Sequence, residues 1–163
     1  MKPKTEKKLI KRELLKPKHH IDTCIIIESA KNTKTGMICQ KYFNLVGYKY
    51  RGYFSLPVIG EFFIKILDEI KEQYDRETAL VLLYDLKEEK SINFFVPSNK
   101  SKVSKITEEI LNLDRRLEFT DASIVACAVE AKTILVTLDK DLLHNKKIEE
   151  QYKIKILHPK ELI

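Results

Sequence analysis

Acidic residues stand at the ends of two predicted strands and early in two predicted helices of this chain. Asp22 ends the first predicted strand, and Asp139 follows the apolar run TILVTL at residues 133–138. Glu61 lies in the first turns of a helix that follows a strand, and Asp121 lies in the first turn of another. In an open parallel α/β sheet, strand ends and the helix starts that follow them share one edge, where ligands collect. We therefore expect these four carboxylates to meet.

A cluster of this kind has a predictable chemistry. With no neutralising Lys or Arg recognised near it in sequence, it would repel itself unless divalent cations filled it. All-oxygen sites suit Mg²⁺ or Mn²⁺. Such a cation can activate a water and neutralise charge that develops on a phosphate. Each acid taken alone also fits a helix cap or a turn, so the prediction depends on all four together.

The elements that would position these acids alternate between strand and helix. Predicted strands cover residues 19–23, 48–56, 92–96, 133–138 and 153–157. Predicted helices cover residues 24–30, 37–46, 58–71, 76–89, 105–113 and 147–151, with another that is capped by Thr120 and runs through Val129. Met37, Phe63 and Leu67 are expected to face inward from their helices. This alternation predicts an α/β fold with a mainly parallel sheet covered on both faces.

Composition narrows the class of protein. The 163 residues are 44% hydrophobic and 33% charged, which is typical of one soluble globular domain. No apolar run approaches the roughly 18 residues that span a bilayer, and no signal peptide is recognised, so we expect a cytoplasmic protein. The three cysteines form no CxxC pair and predict reduced thiols. Glycine-rich GxGxxG and GxxxxGK[ST] motifs are missing, which argues against dinucleotide and P-loop sites.

The positive charge is concentrated at the start of the chain. Residues 1–20 contain eight Lys or Arg and two Glu, which accounts for the whole formal net charge of +6. We therefore divide the chain into a basic arm, residues 1–18, and a domain, residues 19–163. The arm is either a solubilising tail or a segment that attracts a polyanion. In the second case Lys11, Arg12, Lys16 and Lys18 are candidate RNA contacts.

Four segments in order resemble a known family. IDTCII (21–26), LPVIGEFF (56–63), TDASIVACA (120–128) and ILVTLDKDLL (134–143) are similar to the motifs of PIN-domain nucleases. That family includes VapC toxins, archaeal-type members and ribosomal RNA processing endonucleases. The resemblance implies a three-layer α/β/α sandwich and Mg²⁺- or Mn²⁺-dependent hydrolysis of RNA. It also implies frequent homodimerisation and, for a toxin, a protein antitoxin as partner.

The same resemblance assigns roles to individual residues. Asp22, Glu61, Asp121 and Asp139 would be catalytic and hold the metal ions. Supporting positions would be Thr23, Thr137 and Asp141. The chain is longer than most compact toxin members, and part of its surplus lies in residues 32–55. The extra length argues against the toxin assignment more than against the nuclease assignment.

Further candidates for RNA contact come from composition. Arg115 and Arg116 lie at a predicted helix end and could reach substrate phosphates or simply be solvated. Arg51 belongs to a set that interleaves aromatic and basic residues, as a base-stacking surface does, although ordinary core packing gives the same composition. The set comprises Tyr42, Phe43, Tyr48, Tyr50, Arg51 and Tyr53.

Two rival functions remain open. One is a catalytically inactive member of the same fold that binds RNA or acts as a scaffold. The other is a phosphatase or phosphoacceptor on a doubly wound sheet, although the DxDx[TV] signature of phosphatases is missing.

Overall fold

The computed structural model describes residues 15–69 and 73–163. The strands in these ranges are β1 (Lys18–Ile21), β2 (Arg51–Ser55), β3 (Asn93–Phe95), β4 (Ile134–Val136) and β5 (Ile156–Leu157). The helices are α1 (Thr23–Ser29), α2 (Lys34–Phe43), α3 (Leu56–Glu69), α4 (Gln73–Glu89), α5 (Val103–Leu113), α6 (Phe119–Ala131), α7 (Lys140–Leu143) and α8 (Lys146–Tyr152). Most of the basic arm, with Lys11 and Arg12, lies outside the described residues, so its predicted role stays a prediction. No helix in the described residues is long and apolar enough to cross a membrane.

The five strands form one parallel sheet in the order β3-β2-β1-β4-β5. With the helices that connect the strands, it makes the predicted three-layer α/β/α fold. The chain moves from β1 outward to β2 and β3, then returns to place β4 on the other side of β1. This reversal of direction leaves a crevice outside the carboxyl ends of β1 and β4, which is where open α/β sheets bind ligands.

The centre of the sheet buries two histidines. The His19 ring stacks on Tyr50 at 4.2 Å between centroids, and its Nδ1 lies 3.0 Å from the Tyr42 hydroxyl oxygen. Burial, helped by the charge of Lys49, lowers the pKa of His19 to about 4. Burial also lowers the pKa of His20 to about 3, and neither ring nitrogen of His20 has a hydrogen-bond partner among the described residues. Both imidazoles are therefore neutral parts of the core.

The same region corrects the predicted base-stacking surface. Tyr42, Phe43 and Tyr50 are buried and belong to the hydrophobic core, so they cannot stack on bases at the surface. Tyr48 is well exposed, at 81%, whereas Arg51 and Tyr53 are partly buried. Ordinary core packing is the correct interpretation of the buried members.

The buried face of α3 is narrower than the sequence suggests. Val58, Phe62 and Ile66 are buried and recur every four residues, which places them on one line of the helix. Phe63 and Leu67, predicted to face inward, are 43% and 60% exposed, because they lie beside that line. Met37 of α2 was also predicted to face inward and is 49% exposed.

Helices α2 and α6 illustrate how the helices begin earlier than predicted. Thr33 caps α2 by accepting a hydrogen bond from the Gly36 backbone N–H at 2.8 Å, so the predicted polar turn already contains the first helical turn. Glu118, rather than Thr120, precedes the first residue of α6. Asp121 nevertheless lies in the first turn of α6, as predicted.

Candidate active site at the carboxyl edge of the sheet

Asp22 lies at the crevice between β1 and β4. It is the residue after β1, and its backbone N–H donates to the Val136 carbonyl oxygen at 3.0 Å, which extends the pairing of the two strands. Its side chain is buried. The topology therefore fixes one of the predicted acids at the place where the fold favours a ligand.

The Thr137 hydroxyl joins two of the predicted acids. It donates to Asp22 Oδ2 at 2.5 Å and accepts from the Asp139 backbone N–H at 2.9 Å. Because Thr137 follows β4 and is completely buried, this hydroxyl ties the end of β1 to the end of β4. The supporting role of Thr137 in catalysis stays a prediction.

Cys24 is a member of this network that sequence reasoning missed. Its thiol donates to Asp22 Oδ2 at 3.2 Å, and its sulfur accepts from the Leu138 backbone N–H at 3.3 Å. Burial, followed by the negative charge of Asp22, raises the pKa of the thiol well above its ordinary value, so Cys24 is a neutral donor. Its position two residues after Asp22 was the only sequence signal.

The Asp22 carboxyl balances opposing influences. Burial raises its pKa most strongly, and the charge of Glu61 adds to that effect. Hydrogen bonds from Thr137 and Cys24 act against burial by stabilising the carboxylate. The net pKa is raised, which marks a carboxyl group that lacks a full counter-charge.

Asp121 shows that the predicted acids share one electrostatic environment. Its pKa is raised to about 6, first by burial and then by the negative charges of Asp139, Asp22 and Glu61. The four carboxylates thus come from four elements and are near enough to repel one another. As they stand, however, no three His, Cys, Asp or Glu side chains in residues 15–69 and 73–163 are grouped closely enough to hold a metal ion.

Glu61 has a cationic neighbour. Lys65 lies one helical turn later on α3, and its Nζ is 2.7 Å from Glu61 Oε1. The other oxygen, Oε2, is buried and has no hydrogen-bond partner among the described residues. The expectation of an acidic cluster with no neutralising Lys or Arg near it in sequence is therefore wrong. The i,i+4 spacing on a helix could have revealed the pair.

The other predicted site residues, Asp139, Asp141 and Thr23, differ in their contacts and exposure. Asp139 caps α7, because its Oδ1 accepts from the backbone N–H groups of Asp141 at 2.7 Å and Leu142 at 3.4 Å. Asp141 itself is exposed. The Thr23 hydroxyl donates to the Val58 carbonyl oxygen at 3.3 Å and so links α1 to α3. Thr23 thereby positions the helix that carries Glu61.

An open groove of about 530 Å³ lies between the first halves of α3 and α6. Glu61 and Lys65 line one wall, and Phe119 and Thr120 line the other, directly before Asp121. Phe119 is 70% exposed. The groove gives the acidic site an approach from solvent.

The basic residues proposed from sequence fall at two places. Arg116 is near the acidic site, since it interacts with the charge of Asp141. Lys18 and Arg51 begin the parallel strands β1 and β2 and are paired in register, so they lie at the opposite edge of the sheet. Lys16 precedes them and donates to the Gly47 carbonyl oxygen at 2.8 Å.

Comparison with known proteins decides the family. The PIN domain family model matches residues 20–148. The chain belongs to the PIN domain family. PIN domain proteins are nucleases and typically use divalent metal ions, so the acidic site lies on a scaffold used for hydrolysis of nucleic acids. No curated protein matches the chain in sequence.

Solved PIN-like structures share the fold at low sequence identity. VapBC2 from Rickettsia felis, bound to a DNA fragment from its promoter, has a TM-score of 0.61 and 16% identity over 86% of this chain and 98% of its own. DNA-bound VapBC from Salmonella typhimurium has a TM-score of 0.61 and 17% identity over 88% of this chain and 98% of its own. PAE2754 from Pyrobaculum aerophilum has a TM-score of 0.59 and 17% identity over 90% of this chain and 92% of its own.

Proposed function

We propose that this PIN domain is an endoribonuclease that depends on Mg²⁺ or Mn²⁺. The observation that carries the proposal is the position of Asp22 at the crevice between β1 and β4, where the Thr137 hydroxyl joins it to the Asp139 backbone. Burial, followed by the charges of Asp139, Asp22 and Glu61, also raises the pKa of Asp121 to about 6. Carboxylates that repel one another at the crevice of a parallel sheet favour occupation by a divalent cation. Their oxygen-only chemistry suits Mg²⁺ and Mn²⁺.

We assign each side chain of the site a role according to its position. Asp22, Asp121 and Asp139 would bind the cation, with Oδ2 of Asp139 remaining after Oδ1 has capped α7. Glu61 would either bind the cation or order the attacking water through Oε2, which lacks a partner within the described residues. Thr137 and Cys24 hold the Asp22 carboxylate in one orientation. These bonds limit the rearrangement needed during the reaction.

A divalent cation in this site supplies Lewis acidity and lowers the pKa of water. In-line attack of water on the scissile phosphorus would leave 5′-phosphate and 3′-hydroxyl ends. The test is cleavage of a labelled RNA by the full chain with Mn²⁺, with and without EDTA. Cleavage that requires the metal supports the proposal, and intact RNA under both conditions contradicts it.

A basic cleft beside the acidic site favours a polyanionic substrate over a small phosphoester. The cleft measures about 540 Å³ and is walled by the residues from Asn112 to Arg116 and from His144 to Lys147. Arg116 is fixed there by two hydrogen bonds to Asp114, from Nε at 3.0 Å and from a terminal nitrogen at 2.7 Å. Asn145 also donates to Asp114, at 2.8 Å. We propose that the exposed cations of this cleft bind RNA phosphates.

Removing two cations from the cleft tests that assignment. We expect the double variant Arg115→Ala/Lys147→Ala to bind single-stranded RNA about tenfold more weakly at 50 mM salt. The slope of log K against log salt should fall by about 1.4, because each lost phosphate contact contributes roughly 0.7 for a single strand. Fluorescence anisotropy measures both quantities in an Asp121→Asn background that does not cleave.

A matched control has the same loss of charge at the other edge of the sheet. Lys132 and Lys155 are exposed and precede β4 and β5, far from the carboxyl ends of the strands. The Lys132→Ala/Lys155→Ala variant should keep the wild-type affinity and salt slope. Equal weakening of the two double variants would contradict a specific role of the cleft. Lys16, Lys18 and Arg51 stay a separate prediction for contact with RNA.

The alternative is a catalytically inactive PIN domain that binds RNA or acts as a scaffold. Two observations favour it: Asp139 Oδ1 is engaged in capping α7, and no metal-ready group of three side chains exists in the described residues. This alternative predicts RNA binding by the basic cleft without cleavage in Mg²⁺ or Mn²⁺. The cleavage test therefore separates it from the nuclease.

We also propose that a protein partner covers part of α3 and α4. Ile64 and Leu67 on α3 and Val81 and Tyr84 on α4 are each more than half exposed, and a partner would bury them. The structural neighbours include the toxin–antitoxin complexes VapBC and FitAB, which supports a protein antitoxin here and a toxin-type ribonuclease.

A second copy of the chain would cover the same residues. Light scattering tests the homodimer, and a small DNA-binding protein encoded beside this one would favour the antitoxin.

A further inference from the structure

We propose that Lys65 is a built-in counter-ion of the acidic site, and that its positive charge lowers the affinity of these carboxylates for a divalent cation. The inference rests on the proposed function, since it requires that a cation binds these carboxylates. Lys65 would then be a positioning residue that sets metal affinity, because it acts through Glu61.

The Lys65–Glu61 pair differs from an ordinary surface ion pair. Its Nζ–Oε1 distance is 2.7 Å, and the two side chains are 37% and 19% exposed. The other i,i+4 pair in the described residues, Lys105–Glu109, is separated by 3.7 Å and is 76% and 41% exposed. Partly buried charges are screened less by solvent and salt, so the attraction within the pair on α3 is weakened less than that within the pair on α5.

The pair leaves Glu61 only half satisfied. Lys65 engages Oε1, whereas the buried Oε2 has no hydrogen-bond partner in the described residues. A carboxylate oxygen without a hydrogen-bond partner is an acceptor that an ion, a water or a ligand can use. Glu61 is thus held in place by the ammonium and still has a free acceptor.

The Lys65 charge also reaches beyond Glu61. Its ammonium is attracted by the charge of Asp22 as well as by that of Glu61. Because Asp22 and Glu61 both repel Asp121, Lys65 neutralises part of the same negative charge that a divalent cation would neutralise. An ammonium and a metal ion that draw on the same carboxylates must compete, since each stabilises a different state of the site.

Metal affinity tests the competition directly. We expect Lys65→Met to bind Mn²⁺ about tenfold more tightly than the wild type in isothermal titration of the EDTA-stripped full chain. Lys65→Arg keeps the charge and should match the wild type. Lys105→Met breaks the exposed i,i+4 pair on α5 and should also match the wild type. Unchanged or weaker binding by Lys65→Met would overturn the proposal.

A second readout does not depend on metal. Without metal at pH 8, Lys65→Met should melt at a lower temperature than the wild type, because the carboxylates lose their internal counter-ion. An equal or higher melting temperature would overturn the proposal. Failure of the wild type both to bind Mn²⁺ and to cleave RNA would reject the proposed function together with this inference. Metal binding and cleavage by the wild type, with no change in Lys65→Met, would reject the role of Lys65 alone.

Discussion

The Asp121→Asn variant is expected to lose RNA cleavage by about three orders of magnitude, equivalent to about 4 kcal/mol of transition-state stabilisation. Asparagine keeps the size of the side chain and its place in the first turn of α6, but it removes the charge that would help to hold the cation. Rates of cleavage of a labelled RNA in Mn²⁺ measure the loss. Asp85→Asn, which removes an exposed acid on α4, is the matched control and should keep the wild-type rate.

The same substitution should stabilise the metal-free protein. Folding raises the pKa of Asp121 from 3.8 to about 6, so its stabilising contribution is present below pH 3.8 and is lost as the pH rises through about 6. Asparagine has no charge to lose. At pH 7.5 in EDTA, we expect the free energy of unfolding of Asp121→Asn to exceed that of the wild type by about 1 kcal/mol. This value is reduced to allow for the solvent exposure of the carboxyl group. A loss of both activity and stability would indicate damage to the fold and would contradict this account of Asp121.

Replacing His20 with Leu should change how stability depends on pH. The pKa of His20 falls from 6.5 in the unfolded chain to about 3 in the folded protein. Between these values the unfolded chain takes up a proton that the folded protein does not, so the wild type loses stability as the pH falls below 6.5. The loss is about 1.4 kcal/mol per pH unit, and a leucine at this position does not share it.

Urea unfolding at pH 7.5 and pH 5 measures this difference. From the higher to the lower pH, the His20→Leu variant should gain about 2 kcal/mol relative to the wild type. Asp22 and Asp121 change the free energy of unfolding with pH in the direction opposite to that of His20. Both proteins contain these two acids, so their contributions cancel in the difference between the variant and the wild type. His144 is exposed, and His144→Leu should follow the wild type at both pH values. Parallel pH dependence of His20→Leu and the wild type would show that the buried imidazole is not the cause.

The positions of the acids were predictable because the sheet is parallel. Asp22 ends a predicted short strand and Asp139 follows an apolar run that predicts a buried strand, and all parallel strands that run through one sheet end at the same edge. Asp121 was predicted in a first helical turn because it follows Thr120, taken as the N-cap; it does lie in the first turn, although the N-cap is Glu118. The sequence did not reveal the order of the strands, and it is that order which puts Asp22 next to Thr137, 115 residues later.

Contacts that depend on side-chain direction were harder to predict. Lys65 meets Glu61 because both lie on one face of α3, yet many i,i+4 pairs point to solvent. Cys24 meets Leu138 only after β1 and β4 become neighbours. Tyr42 and Tyr50 were assigned to a surface because aromatic and basic residues alternate there, whereas both pack on His19. A local pattern cannot distinguish these cases, since tertiary packing decides them.

The most direct test is the anomalous scattering of Mn²⁺ in crystals of the full chain. We expect an anomalous peak at the carboxyl ends of β1 and β4, with carboxylate oxygens of Asp22, Asp121 and Asp139 as its ligands. Asp121→Asn crystals soaked in the same solution should show a much weaker peak. Wild-type crystals without a peak among these carboxylates, at a concentration of Mn²⁺ that supports cleavage, would contradict the metal site on which the proposed function depends.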